Sequence, residues 1–238
     1  MAIIRETLAV QSYAELRRRI LALEFEPGHR LDVDRLAEEL TVSVSPIKEA
    51  LKQLESEGLV EVLPRRGTVI REFDPADVAD LYEAREIVET AAVRRAMDRG
   101  AHRALLGELS RTIADFTAAC DRGRIVRADK ALAADNRFHV LIVSATGNRR
   151  LAAIHAALID QAHLVRRFSM RLDRAEGTMA EHQSILAALS AGDQDEAERA
   201  MRRHLVEARD AIVQETLARS VEKTAPGASR LSPKRRGS

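Results

Sequence analysis

Residues 36–70, LAEELTVSVSPIKEALKQLESEGLVEVLPRRGTVI, contain the change of periodicity that decides the fold of this chain. The first part of this stretch repeats apolar residues at helical spacing in two runs. These residues are Leu36, Ala37, Leu40, Ile47, Leu51 and Leu54. After Gly58 come two short β-type runs, 59–63 and 68–70, joined by the turn Pro64-Arg65-Arg66-Gly67. The stretch therefore predicts two helices followed by a β-hairpin.

A further helix is predicted upstream, over about residues 10–25, where apolar residues recur among three consecutive arginines. Pro27-Gly28 follows its end, and Pro46 suits the first turn of the last of the three helices. Three helices and a two-stranded ribbon form the shape of a winged helix-turn-helix, which we place in residues 1–73. In such a fold the second helix of the helix-turn-helix enters the major groove of DNA.

From residue 74 onward the pattern predicts only helices, and these are long and amphipathic enough to form an antiparallel bundle over 74–220. The predicted helices are 75–99, 101–121, 125–145, 148–171, 174–191 and 193–219. Glycines lie at or near the joints between them. Residues 221–238 have almost no apolar side chains, so we expect a disordered basic tail.

The composition agrees with a mainly helical protein. Glycine (11 residues) and proline (6) are together a smaller share of the 238 residues than the roughly 12 % that these two residues make up in an average protein. Aromatic residues make up 3 % of the chain, which argues against an all-β fold and against a surface that stacks single-stranded bases. No apolar run approaches the roughly 20 residues of a membrane span. With one cysteine and no visible secretory signal, we expect a cytoplasmic protein with no membrane partner.

Net charge does not by itself predict a polyanion partner. The whole chain carries +1, and residues 1–72 hold 11 Lys/Arg against 13 Asp/Glu. DNA binding must therefore depend on a few placed cations rather than on bulk charge.

The amino-terminal stretch resembles the GntR family of bacterial transcription regulators. The matching segments are Pro27-Gly28, Leu36-Ala37, Val42-Ser43, Pro46-Ile47-Lys48-Glu49-Ala50-Leu51, Glu57-Gly58-Leu59-Val60 and Pro64-Arg65-Arg66-Gly67. This resemblance implies double-stranded operator DNA as a partner.

Seven residues are candidates for contact with DNA. They are Ser43, Val44, Ser45 and Lys48 near the start of the recognition helix, and Arg65, Arg66 and Gly67 at the tip of the wing. Hydroxyls and cations at these places can meet phosphates and base edges. Val44 and Lys48 stand where the family usually has arginine, so neither offers the planar fork that reads guanine. Val44 can contact a thymine methyl group instead. The alternative is a winged helix that makes only protein contacts.

Four residues in the helical part have the spacing of metal ligands. Asp135 and His139 are four positions apart and project from one helix face. His182 and His204 lie eleven residues on either side of Asp193, so an antiparallel hairpin brings them to the same height. Three imidazoles and a carboxylate suit a divalent ion, zinc foremost, with nickel, manganese or iron as alternatives.

The helical part is similar to the FCD ligand-binding domain of the FadR-type GntR regulators, and its six helices resemble the VanR-like branch. The resemblance rests on Asp135-Asn136-Arg137-Phe138-His139, on Gly147-Asn148 and on Glu181-His182 with His204-Leu205. It implies a divalent metal held by Asp and three His, with a small carboxylate effector completing the coordination. Arg85 stands where the family often places an inward arginine that clamps the effector, the alternative being a solvated or dimer-interface arginine.

The sequence thus predicts a homodimeric, effector-responsive transcription regulator, and not an enzyme, that reads a palindromic operator. The resemblance implies a repressor rather than an activator. Two alternatives stay open. One is a metal-dependent enzyme with an appended DNA-binding domain, and the other is a regulator whose metal is purely structural.

Overall fold

The computed structural model describes residues 7–169 and 174–224, without the side chains of 168–169 and 220–224. Its amino-terminal part is a winged helix-turn-helix, as the sequence predicts. The elements are α1 (Leu8–Leu21), α2 (Val33–Leu40), α3 (Val44–Ser56), β1 (Val60–Leu63) and β2 (Gly67–Ile70). The first helix ends four residues earlier than predicted because Leu23 adopts a left-handed conformation (φ 58°) that a helix cannot continue through.

The wing is an antiparallel hairpin in which Val60 pairs with Ile70 and Leu63 with Gly67. A third segment, which the sequence did not predict, lies beside β2. Arg30 forms an isolated antiparallel bridge with Val69, and the Leu31 amide donates to the Thr68 carbonyl over 2.9 Å. The base of the wing is therefore tied to the segment that precedes α2.

The carboxy-terminal part is an all-α bundle, also as predicted. Among the described residues its helices are α4 (Pro75–Asp98), α5 (His102–Ala118), α6 (Ala128–Ser144), α7 (Arg149–Ser169), α8 (Ala175–Ala191) and α9 (Gln194–Thr224). The predicted end of the helix over 101–121 and the predicted start of the helix over 125–145 are wrong, because α5 ends at Ala118 and α6 begins at Ala128. A small hairpin, β3 (Cys120–Asp121) paired with β4 (Arg124–Ile125), lies there instead.

The last helix extends beyond the predicted end of the bundle at residue 220. It continues to Thr224, so the first four residues of the predicted disordered tail are helical. Residues 225–238 of that predicted tail, like residues 1–6, lie outside the described part of the chain.

Two apolar cores stabilise the molecule. One fills the bundle around Tyr82, Phe138 and Ile185. The other fills the winged helix around Leu16, Ile47 and Leu54, and it includes Leu164 from α7, which is fully buried there. A helix of the bundle thus contributes a side chain to the core of the DNA-binding part. No helix in the described residues has the length and apolar character needed to cross a membrane.

Candidate functional site

The four residues predicted as metal ligands lie together in the bundle. Asp135 and His139 project from α6, His182 from α8 and His204 from α9. Each offers a ligand atom within 4.8 Å of the others, and all four side chains are buried. The structure therefore brings together the full set that the spacing predicted.

The α8–α9 hairpin sets the height of two of these ligands. Gly192 ends α8 in a left-handed conformation (φ 73°), which allows the chain to reverse directly into α9. The rings of His182 and His204 consequently lie 4.6 Å apart between centroids. Phe138 of α6 stacks on the His182 ring with 4.1 Å between centroids, a contact that restricts the orientation of the ring.

Three distances within the cluster fall in the range expected for ligands of one ion. Two atoms that each lie about 2.0–2.1 Å from an ion are about 2.9–4.1 Å apart, depending on the angle between them. The Nε2 atoms of His139 and His204 are 3.2 Å apart. His182 Nε2 lies 3.6 Å from Asp135 Oδ1, and His139 Nε2 lies 4.0 Å from Asp135 Oδ2.

The hydrogen bonds around the cluster leave its nitrogen lone pairs facing each other. His139 Nδ1 contacts Glu89, and His204 Nδ1 lies 2.7 Å from Glu181 Oε2. Because a carboxylate only accepts, each Nδ1 donates, and each neutral ring then has a bare lone pair on Nε2. His182 Nε2 is buried with no hydrogen-bond partner in the described part of the chain. A divalent cation fits this donor set, because the cluster otherwise holds several buried lone pairs without a donor.

The protonation states favour the same arrangement. Burial and the neighbouring His204 lower the pKa of His182 well below its usual value. Burial also lowers the pKa of His204, against the opposing effect of Glu181. Burial raises the pKa of Asp135, but Arg166 and the three histidines outweigh it, so that the net pKa is lowered. The centre thus presents two neutral imidazoles and an ionised carboxylate, the forms that bind metal.

A cavity of about 400 Å³ adjoins the centre, and Asp135 and His204 form part of its wall. The rest of the wall combines an apolar surface with three arginines. These residues include Phe116, Leu132, Ile212, Arg85, Arg166 and Arg174. The size and the lining are those of a pocket for a small organic molecule.

Arg85 is buried in this cavity wall, with 1 % of its surface exposed. Its Nε donates to Glu89 over 2.9 Å, while its Nη2 has no hydrogen-bond partner among the described residues. The hydroxyl of Tyr82, on the same wall, is also buried without a partner there. The solvated arginine considered from the sequence is therefore wrong, because this guanidinium is buried with an unused donor.

Sequence reasoning missed the residues that support the ligands. Glu89 lies one turn after Arg85 on the same helix face, a spacing that could have revealed it. Glu181 belongs to the Glu181-His182 segment of the family resemblance, but its contact with His204 was not predicted. Arg166, which donates to both Asp135 and Asn136, comes from a different helix and no local pattern marks it. Arg137, although it lies between Asp135 and His139 in sequence, is exposed and donates to Glu108 over 3.1 Å.

The predicted DNA-contacting residues lie at the start of α3 and at the tip of the wing. Ser43, Ser45 and Lys48 are exposed, whereas Val44 is half-buried against the core of the winged helix. Ser43 makes no side-chain capping bond, so its hydroxyl is not used by α3. The wing residues Arg65, Arg66 and Gly67 are all exposed.

A winged helix-turn-helix joined to an all-α bundle that contains a cavity is the architecture of a DNA-binding transcription regulator. The family described as "Bacterial regulatory proteins, gntR family" matches residues 8–70, and the "FCD domain" matches residues 80–207. The chain belongs to the GntR family and carries an FCD domain as its second part.

Known proteins of similar sequence are regulators. An uncharacterized HTH-type transcriptional regulator in an unstable DNA locus of Streptomyces ambofaciens is 31% identical over 201 residues, covering 81% of this chain and 80% of that protein. The HTH-type transcriptional repressor GlaR of Escherichia coli is 27% identical over 204 residues. The match covers 83% of this chain and 92% of that protein. The solved structure of E. coli McbR/YncC shares the fold, with a TM-score of 0.72 at 20% identity over 89% of this chain and 99% of that one.

Proposed function

We propose that this regulator is a homodimeric repressor whose affinity for a palindromic operator is controlled by a small carboxylate bound beside a divalent metal. The observation that carries the effector is Arg85, whose buried Nη2 has no partner among the described residues and which lines a cavity bordered by Asp135 and His204. A guanidinium with a free donor in an apolar cavity suits a carboxylate.

Asp135, His139, His182 and His204 hold the metal in this proposal. A divalent ion held by these residues would supply a positive charge beside the cavity and could take a carboxylate oxygen as a further ligand. Glu89 and Glu181 orient two of the imidazoles and keep their Nε2 lone pairs turned toward the ion. Because two ligands border the cavity, a metal enclosed on every side is the less favoured alternative.

The recognition helix α3 and the wing bind the operator. Ser43, Ser45 and Lys48 are exposed at the amino end of α3, where helix dipole and side chains both favour contact with phosphates and base edges. Two copies related by a twofold axis read the two half-sites of a palindrome.

The experiment starts with a duplex selected by the full-length protein from a random library. Its affinity is measured for chelator-treated protein, for Zn²⁺-loaded protein, and then with a panel of hydroxy acids, dicarboxylates and aromatic acids. We expect Zn²⁺ to bind and at least one acid to change the affinity by about fivefold or more, the usual scale of allosteric coupling.

Each alternative has its own outcome in the same experiment. Bound Zn²⁺ with no acid that changes operator affinity would assign the metal a structural role. Turnover of an acid from the panel would favour an enzyme. Native mass spectrometry of the purified protein identifies a retained ligand directly, and light scattering gives the oligomeric state.

A further inference from the structure

Helix α7 contacts both the metal centre and the DNA-binding part of the chain. On one side Arg166 donates to the ligand Asp135 and to its neighbour Asn136. On the other side Leu164 is buried in the core of the winged helix. The same helix therefore meets the two sites that an effector has to connect.

An unbroken series of hydrogen bonds runs between these two sides. The guanidinium of Arg166 bridges Asp135 and Asn136, and Asn136 Nδ2 lies 3.3 Å from His163 Nδ1. His163 Nε2 in turn lies 3.1 Å from the carbonyl oxygen of Leu21, the last residue of α1. Four contacts thus lead from a metal ligand to the first helix of the DNA-binding part.

Only one assignment of donors and acceptors satisfies every hydrogen bond in this series. The Leu21 carbonyl can only accept, so His163 Nε2 carries the proton and donates to it. The Nδ1 of the neutral ring then accepts from the Asn136 amide, whose oxygen consequently faces Arg166. Burial and Arg166 lower the pKa of His163 to about 4, which keeps the ring neutral at pH 7. A change at Arg166 therefore has a defined route to Leu21.

His163 also completes the carboxy-terminal end of α1. Backbone amides of residues 22–24 donate to the carbonyls of Arg18, Arg19 and Ile20. The next carbonyl, that of Leu21, receives its bond from His163 instead. The bond thus takes the place of a backbone cap in the last turn of α1.

The neighbouring residues of α7 hold the recognition helix. Gln161 Nε2 donates over 2.9 Å to the carbonyl of Glu57, the residue that ends α3. Arg17 of α1 forms a two-pronged ion pair with Asp160, each bond 2.7 Å long. The ends of α1 and α3 are therefore both attached to one face of α7.

We infer that Arg166, Asn136 and His163 form a hydrogen-bonded relay that reports the charge at the metal centre to the carboxy-terminal end of α1. This inference rests on the proposed metal site. With a divalent cation held by the four ligands, the charge of Asp135 is shared and its ion pair with Arg166 weakens. Arg166 then releases Asn136, and the last turn of α1 loses the support of His163.

Hydrogen exchange measured by mass spectrometry on the full-length protein tests the relay without an effector or an operator. Chelator-treated protein is compared with Zn²⁺-loaded protein, and metal content is measured in parallel. We expect Zn²⁺ to speed exchange of the amides of residues 22–24 by about fivefold, the scale of one lost hydrogen bond. Amides in the middle of α5, which is outside the relay, serve as the internal reference.

Three variants separate the relay from general contact between the two parts. In His163→Leu neither the bond to the Leu21 carbonyl nor the bond to Asn136 can form, so we expect Zn²⁺ to bind and the exchange response to disappear. Asn136→Ala interrupts the same step from the other side and has the same expected result. Gln161→Met, which removes a contact of α7 to α3 outside the relay, keeps the response.

The outcomes are distinguishable. Zn²⁺ binding without faster exchange at residues 22–24 overturns the relay and leaves the metal site intact. A full response in His163→Leu, or its loss in Gln161→Met, also overturns the relay. Failure of the wild-type protein to bind Zn²⁺ overturns the metal site and the relay together.

Discussion

The Nε2 atoms of His139 and His204 lie 3.2 Å apart in the buried interior, although 65 positions separate the two residues along the chain. Each ring donates its other nitrogen to a carboxylate, so both Nε2 atoms present lone pairs. Two such atoms repel each other unless a cation lies between them. The contact is therefore favourable only when the centre is filled or protonated.

Replacing one ligand should remove the metal and the stability that the metal provides. For His182→Ala we expect metal content, measured by plasma mass spectrometry, to fall from about one ion per chain to a small fraction. The melting temperature should fall. We expect chelator to lower the melting temperature of the wild type but to leave that of the variant unchanged. His102→Ala removes another buried histidine outside the cluster and should retain the metal; equal metal loss in this control would argue against the site.

Replacing Arg85 should weaken binding of the effector and leave binding of the metal unchanged. Arg85→Lys keeps the charge beside Glu89 but loses the planar pair of N–H donors. We therefore expect the affinity for the carboxylate effector, measured at saturating Zn²⁺, to fall by about tenfold. Isothermal titration with the panel acid of highest affinity measures this. The exposed Arg137→Lys is the matched control, and an unchanged affinity in Arg85→Lys would exclude Arg85 from the effector site.

Lys48 should contribute to recognition of the operator. If Lys48 reads a base edge, Lys48→Ala weakens operator binding by about 1–3 kcal/mol and has less effect on random duplex. An equal loss on both duplexes would assign the lysine to a phosphate. Lys52, exposed one turn further along α3, gives the control substitution Lys52→Ala, for which we expect a smaller effect.

The wing arginines should act mainly through charge. Arg65 and Arg66 are exposed at the hairpin tip, and two phosphate contacts contribute about 2 to the slope of log affinity against log salt. We expect the double alanine variant to lose this part of the slope on operator and random duplex alike. Fluorescence anisotropy over a range of salt concentrations measures it, and an unchanged slope would place the wing away from the phosphates.

Acid should destabilise the protein through His163. Burial and Arg166 lower its pKa from 6.5 to about 4 in the folded protein, so the unfolded chain binds more protons between these values. The free energy of unfolding should therefore fall as the pH drops from about 6.5 toward 4. Denaturant unfolding of chelator-treated protein measures this fall, which should be shallower in His163→Gln; an equal fall would assign the acid sensitivity to other groups.

The ligands could be predicted from the sequence because their spacing is local. Asp135 and His139 are one helical turn apart, and His182 and His204 are equally distant from one tight turn. Both relationships follow from helix geometry and need no knowledge of how the helices are rotated. Periodicity in residues 36–70 likewise predicted the winged helix.

The supporting residues could not be predicted because they depend on packing between distant helices. Arg166 and Glu89 reach the centre only because α4 and α7 present particular faces to α6, which no local pattern specifies. The small hairpin after α5 was missed for a different reason. Arg122 and Gly123 both adopt positive φ, a two-residue turn that a helical reading of the flanking residues conceals.

The burial of Leu164 makes the DNA-binding part incomplete on its own. Its core contains this α7 side chain, so a fragment ending near residue 73 would carry a hole where Leu164 belongs. If the winged helix is exchanged between related regulators, the contact between its core and Leu164 of α7 therefore has to be preserved. A chimaera that joins this winged helix to a bundle without an apolar side chain at the position of Leu164 should therefore fold poorly.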